Sequence, residues 1–127
     1  MTRRGAAAVE LVITLPVLAL LLVGALEWGW YLRYEVAVTH VARDAARTGA
    51  LVRADRDPAG TAEARAWDAL QETHLDPTTA ELVGSVDGGP YGPVLTLTVS
   101  VPYAPLVGLV PTPARLSARH ALLLEDR

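Results

Sequence analysis

Cysteine is absent from the 127 residues, which removes disulfide frameworks, Cys-ligated metal sites and thiol nucleophiles from consideration. Lysine and asparagine are absent too, and all 11 basic residues are arginine, a bias we read as codon usage of a GC-rich genome. Recognisable catalytic motifs are also missing. His40, His74 and His120 fall on three different predicted elements with no HExxH, CxxC or glycine-rich phosphate loop beside them. Ser85, Ser100 and Ser117 lack the G-x-S-x-G setting of a nucleophile elbow, and the carboxylates show no pairing suited to acid and base work. His40 and Asp44 share a helix face at i, i+4, which reads as a surface pair. The expectation is a chain without enzymatic activity, cofactor, metal or small-molecule substrate.

Positive charge is scarce as well. The formal net charge is −3, and beyond Glu10 there remain 9 arginines against 13 acids, about −4. Nucleic-acid binding depends on neutralising phosphates and is disfavoured by this balance.

Apolar residues, by contrast, are plentiful: 51% of the chain, with mean hydropathy +0.28. They concentrate in the stretch "GAAAVELVITLPVLALLLVGAL", where Glu10 is the one charge between Ala6 and Leu26. Those 21 positions make a helix about 31 Å long, the thickness of a bilayer's hydrocarbon core. Arg3 and Arg4 precede it and Glu27 follows, so the positive-inside bias puts the N-terminus in the cytoplasm and the C-terminal part outside the cytoplasmic membrane. Trp28, Trp30, Tyr31 and Tyr34 come next, as amphipathic rings do where a helix meets the headgroups; packing of the same rings on the outer domain is the other reading. Pro16 removes one backbone bond, a loss that membrane helices tolerate. Two other readings of the segment stay open: a cleavable secretory signal with a small-residue site at Val23-Gly24-Ala25, and a plain uncleaved anchor. The length of the run, the acid inside it and the unbroken helical pattern after it weigh against cleavage there.

Glu10 is the oddity, since an acid at the centre of a spanning helix costs roughly 2.5–3.5 kcal/mol and such carboxylates usually have a partner or a task. "RRGAAAVE" followed by an unbroken apolar helix resembles the processing site of type IV prepilins. The longer stretch "RRGAAAVELVITLPVLALLLVGALEWGW" more closely resembles the start of TadE-like proteins, pseudopilins of the tight adherence (Tad, or Flp) pilus apparatus. Leu11 stands where the major Flp pilins tend to have tyrosine, which favours a minor component over the pilus subunit. The resemblance implies a cut between Gly5 and Ala6 by a membrane-embedded prepilin peptidase. It also implies an assembly role for Glu10, paired with the new α-ammonium of Ala6, and no catalysis by the chain itself. The implied partners are that peptidase, other Tad pseudopilins and the pilin, the inner-membrane secretion platform and membrane lipid.

Beyond the membrane, Trp30, Tyr34, Ala37, Val38, Val41, Ala42, Ala45 and Gly49 recur at helical spacing, predicting one helix from Ala6 to about Ala50. Asp57-Pro58 predicts a second helix, capped by Asp57, that buries Ala62, Ala66, Trp67, Ala69 and Leu70, with Trp67 as a core anchor. "ELVGSVD", "VLTLTVSVPY" and "RLSARHALLLE" predict three strands. In the middle one Leu95, Leu97, Val99 and Val101 share one face, and Thr96, Thr98 and Ser100 the other. The expected architecture is α+β: residues 1–5 a basic leader, 6–26 a transmembrane helix, and 27–127 an extracytoplasmic domain with a small antiparallel sheet packed on the helices, as in pilins. Between the last two strands, the apolar loop Ala104 to Pro113 has two readings. Leu106, Val107, Leu109 and Val110 either form a partner surface or fold back on their own sheet. An alternative function keeps the anchor and drops the processing: a binding module whose specificity lies in that loop or in the "DGGPYGP" turn.

Overall fold

Apart from Pro16 and single, separated glycines, residues compatible with a helix run from the first arginines to Ala50, and one helix results. In the computed structural model, which describes residues Arg3 to Leu124, helix α1 spans Arg3–Ala50 and passes through Pro16. It starts three residues before Ala6, because neither proline nor a competing cap separates Arg3 and Arg4 from the alanine-rich turn that follows. The remaining elements are α2 (Pro58–Glu72), a 3₁₀ turn (Pro77–Thr79), and strands β1 (Glu81–Gly89), β2 (Gly92–Pro102) and β3 (Arg115–Leu123). The three strands form an antiparallel sheet in the order β1-β2-β3, so the α+β expectation holds. Met1, Thr2 and the acid closing the last predicted strand, Glu125, lie outside the described residues.

The chain divides into two compact units, residues 33–104 with 113–127, and residues 1–32 with 105–112. In the first, the alternation of β2 does what its period requires: Leu95, Leu97, Val99 and Val101 are buried. Val38, Val41, Ala42, Ala45 and Ala46 of α1 and Ala62, Ala66, Ala69 and Leu70 of α2 are buried with them, as are Leu75, Tyr103, Leu116 and Leu124. Small residues set how closely these layers approach. A Cβ on Gly49 of α1 would lie 2.6 Å from the Pro58 carbonyl oxygen, 2.7 Å from Ala62 Cβ and 2.8 Å from Leu95 Cδ2. On β1, the Gly84 amide donates to Glu63 Oε1 of α2 at 2.7 Å, which ties that helix to the sheet.

Helix α2 begins as its sequence specifies, with Asp57 accepting a hydrogen bond from the Gly60 amide at 2.9 Å and Pro58 in the first turn. Its end is set before the proline is reached. His74 turns left-handed (φ 58), the His74 amide donates to the Gln71 carbonyl and the Leu75 amide to the Leu70 carbonyl. That pattern is a Schellman closure, with Leu70 and Leu75 both buried. The β1–β2 hairpin pairs Gly89 with Gly92 across Pro90 and Tyr91, a tighter turn than "GGPYGP" suggests.

Two packing expectations need correction. Trp67 is 41% exposed and so is no core anchor: the buried stripe of α2 runs through Ala62, Ala66, Ala69 and Leu70, and Trp67 sits on its flank. Thr96, assigned to the outer face, is buried, as befits a residue on the central strand between Ser85 of β1 and Ala121 of β3.

Candidate functional site

The second unit contains the residues on which the functional reading turns. Among the described residues one helix, α1, is long and apolar enough to cross a membrane, and its most apolar window has no buried part. Leu15, Val17, Leu18, Leu20, Leu21, Leu22 and Leu26 are all exposed, a surface that water does not tolerate and lipid does. The Gly5–Ala6 bond lies in the opening turns of α1. Glu10 is exposed, and its carboxylate has no hydrogen bond or ion pair among the described residues; its main-chain oxygen accepts the Thr14 hydroxyl at 2.7 Å. That last bond matters in lipid, where an unsatisfied hydroxyl is costly.

Immediately after the apolar run comes a feature that the sequence did not announce. Glu27 is 1% exposed, and its two carboxylate oxygens accept the amides of Gly108 at 2.7 Å and Leu109 at 3.0 Å. Burial raises the tendency of this carboxyl to hold a proton. The amides of Gly108, Leu109, Val107 and Val110 act against that, and their combined pull holds it below the ordinary glutamate range. Gly108 has φ +80, the left-handed turn that lets successive amides converge on one anion. The loop between β2 and β3 is thereby fixed to α1. Leu106, Val107 and Leu109 stay 53%, 59% and 53% exposed, and Val110 is half-buried. Burial on the sheet is therefore not the arrangement adopted by the first three.

Aromatic side chains group nearby in sequence. Trp28 meets Tyr31 edge to face with centroids 5.8 Å apart. Tyr34, by contrast, meets Tyr103 of the sheet unit in the same manner at 5.6 Å, so it serves packing there. Asp44 forms its ion pair with Arg65 of α2 at 2.8 Å, not the surface pair with His40 that their spacing suggests. Arg65 also bonds Glu72 at 3.1 Å. Glu72 and Asp44 together raise its affinity for the proton above that of an ordinary arginine. His74 and Asp76 line a cavity of about 200 Å³ with Tyr34, Leu75, Thr79, Val101, Pro102 and Ala104. Among the described residues no three His, Asp or Glu side chains gather as metal ligands do.

These features define a small α+β protein with one N-terminal helix of membrane-spanning length and composition. Over residues 5–47 the chain matches the family model described as TadE-like protein, about a third of its length, so the resemblance to TadE-like proteins of the Tad pilus system holds for that stretch. No curated protein and no solved structure matches the chain.

Proposed function

We propose that this chain is a minor pseudopilin of a Tad-type pilus apparatus, held in the cytoplasmic membrane by α1 with its N-terminus inside, and processed between Gly5 and Ala6 by a prepilin peptidase. The observation that carries the reading is that the TadE-like match takes in Gly5, Glu10 and the entire apolar run together. In this reading the chain is a peptidase's substrate and does no catalysis of its own. Its partners are other pseudopilins, the pilin and the inner-membrane platform.

The physical consequences of a cut at Gly5 support it. Arg3 and Arg4 are cations at the N-terminus of α1, where the helix dipole disfavours them. Opening the first turn for a peptidase sacrifices little, since its amides have no helical acceptors in any case. Removal of residues 1–5 discards both arginines and leaves an α-ammonium on Ala6, four residues before Glu10 and on the same face. The unpartnered carboxylate then has a cation on its own chain or a neighbour's, which offsets its desolvation. Replacement of Glu10 by alanine is expected to leave membrane insertion intact and to lower pilus output in the host. Unchanged output from a Glu10→Ala strain would contradict the assignment.

A further inference from the structure

We propose that the loop Pro105–Thr112 is a second membrane contact, a lipid-facing foot that the Glu27 carboxylate clamps at the level of the headgroups. The inference rests on α1 crossing the bilayer.

Three observations on different features converge. The first is position. The loop belongs to the same compact unit as the apolar helix and is bonded to Glu27, one residue beyond the end of the Ala6–Leu26 run. It therefore sits where the hydrocarbon core gives way to the interface. The second is composition. "APLVGLVPTP" carries no charge, and it holds Leu106, Val107 and Leu109 as exposed as the leucines of the apolar run.

The third is the fate of the backbone donors, and it separates lipid from water as the intended surroundings. A loop at the edge of hydrocarbon must satisfy its amides internally, because each one left open costs several kcal/mol. Pro105 and Pro111 have no amide hydrogen to satisfy. Of the five residues between them, Gly108 and Leu109 at the turn donate to the two oxygens of Glu27, so one buried carboxylate closes two successive amides. A loop in contact with water needs no such provision, since solvent would serve. Glu27 is buried beneath the loop it serves, so its charge is not presented to the lipid.

The chain has no cysteine, so single-cysteine variants carry one label and no background. Full-length protein bearing a bimane label at Leu106→Cys, Val107→Cys or Leu109→Cys would be reconstituted in phosphatidylcholine and phosphatidylglycerol vesicles. Quenching by brominated lipid is then compared with quenching by aqueous iodide. Leu18→Cys, in the middle of the apolar run, reports the anchor itself, and Leu51→Cys, 83% exposed in wild type, reports water. The loop labels are expected to be quenched several-fold more by lipid bromine than the Leu51 label, and several-fold less by iodide. Adding Glu27→Gln should at least halve the lipid quenching of the loop labels and leave the Leu18 label unchanged. Iodide quenching of the loop equal to that at Leu51, with Leu18 still lipid-quenched, overturns the proposal and spares the anchor. Iodide quenching at Leu18 overturns the anchor and the proposal with it. Loop labels shielded from both quenchers until the protein is diluted into excess lipid would mean that a second copy covers the loop, which also overturns it.

Discussion

Gly49 offers a sign test of the packing between the helices and the sheet. Gly49 is the penultimate residue of α1, and replacing a glycine by alanine where the backbone suits both ordinarily stabilises by roughly 0.4–1 kcal/mol, because the unfolded chain loses freedom. Here the added Cβ would meet the Pro58 carbonyl oxygen at 2.6 Å, Ala62 Cβ at 2.7 Å and Leu95 Cδ2 at 2.8 Å. The first two cannot rotate away, since one is backbone and the other is fixed to it. Overpacking of this sort costs about 1–3 kcal/mol, and two immovable neighbours place it in the upper part of that range. The net expectation for Gly49→Ala is a loss of about 1–2 kcal/mol, or roughly 5–15 °C in Tm for a unit of this size. Gly29, on the same helix, has nothing within 4 Å of its added Cβ, so Gly29→Ala should leave Tm unchanged or raise it slightly. Thermal scans of both full-length variants in detergent, followed by near-UV circular dichroism, compare them directly. A Gly49→Ala protein as stable as wild type would refute the close approach of α1, α2 and β2 at this point.

Leu97 is fully buried at the centre of β2, and Leu97→Ala should cost about 2–5 kcal/mol in denaturant unfolding; a loss below about 1 kcal/mol would show that the sheet face is not packed. Asp57 caps α2 from a left-handed conformation (φ 53). Asp57→Ala removes the acceptor of the Gly60 amide and puts a Cβ residue without a polar side chain in that conformation, for a loss of about 1–2 kcal/mol in the same assay, whereas Asp57→Asn keeps most of the stability. The Glu27 clasp makes a prediction in pH. A carboxyl held below its ordinary range contributes its full stabilisation above that range, and loses it as pH falls through the depressed value. Protection of the Gly108 and Leu109 amides against hydrogen exchange should therefore persist at about pH 5 and fade only below the ordinary glutamate range. Loss of protection already above that range would contradict the assigned bonds.

What could be read from the sequence was whatever period and local chemistry encode. The apolar run, the stripe from Val38 to Gly49, the cap at Asp57 and the alternation of Leu95 to Val101 each declare themselves within a dozen residues, and each stands in the structure. Contacts made across long separations were not legible. Glu27 looked like the charge that ends a membrane segment, since its partners lie 81 and 82 residues away in a loop without periodicity. The one local hint was the pairing of Gly108 with flanking prolines, which marks a turn and not its anion. Asp44 had a plausible partner in His40 by helical spacing, yet Arg65 reaches it because α2 packs alongside. Trp67 was misplaced for a related reason: it lies one position from Ala66, at the rim of a stripe whose centre only packing determines. For Gly5 and Glu10 the sequence pattern carries the proposal, and the structure adds that the Glu10 carboxylate has no partner among the described residues.

The most direct test of the central claim is the intact mass, with N-terminal sequencing, of the protein extracted from membranes of its own host. A chain that begins at Ala6 is the expected result, and it makes the charge pair with Glu10 the next thing to examine. A chain that retains Met1 or Thr2 would contradict the processing and leave a plain membrane anchor, and one that begins near Leu26 would contradict the anchor as well.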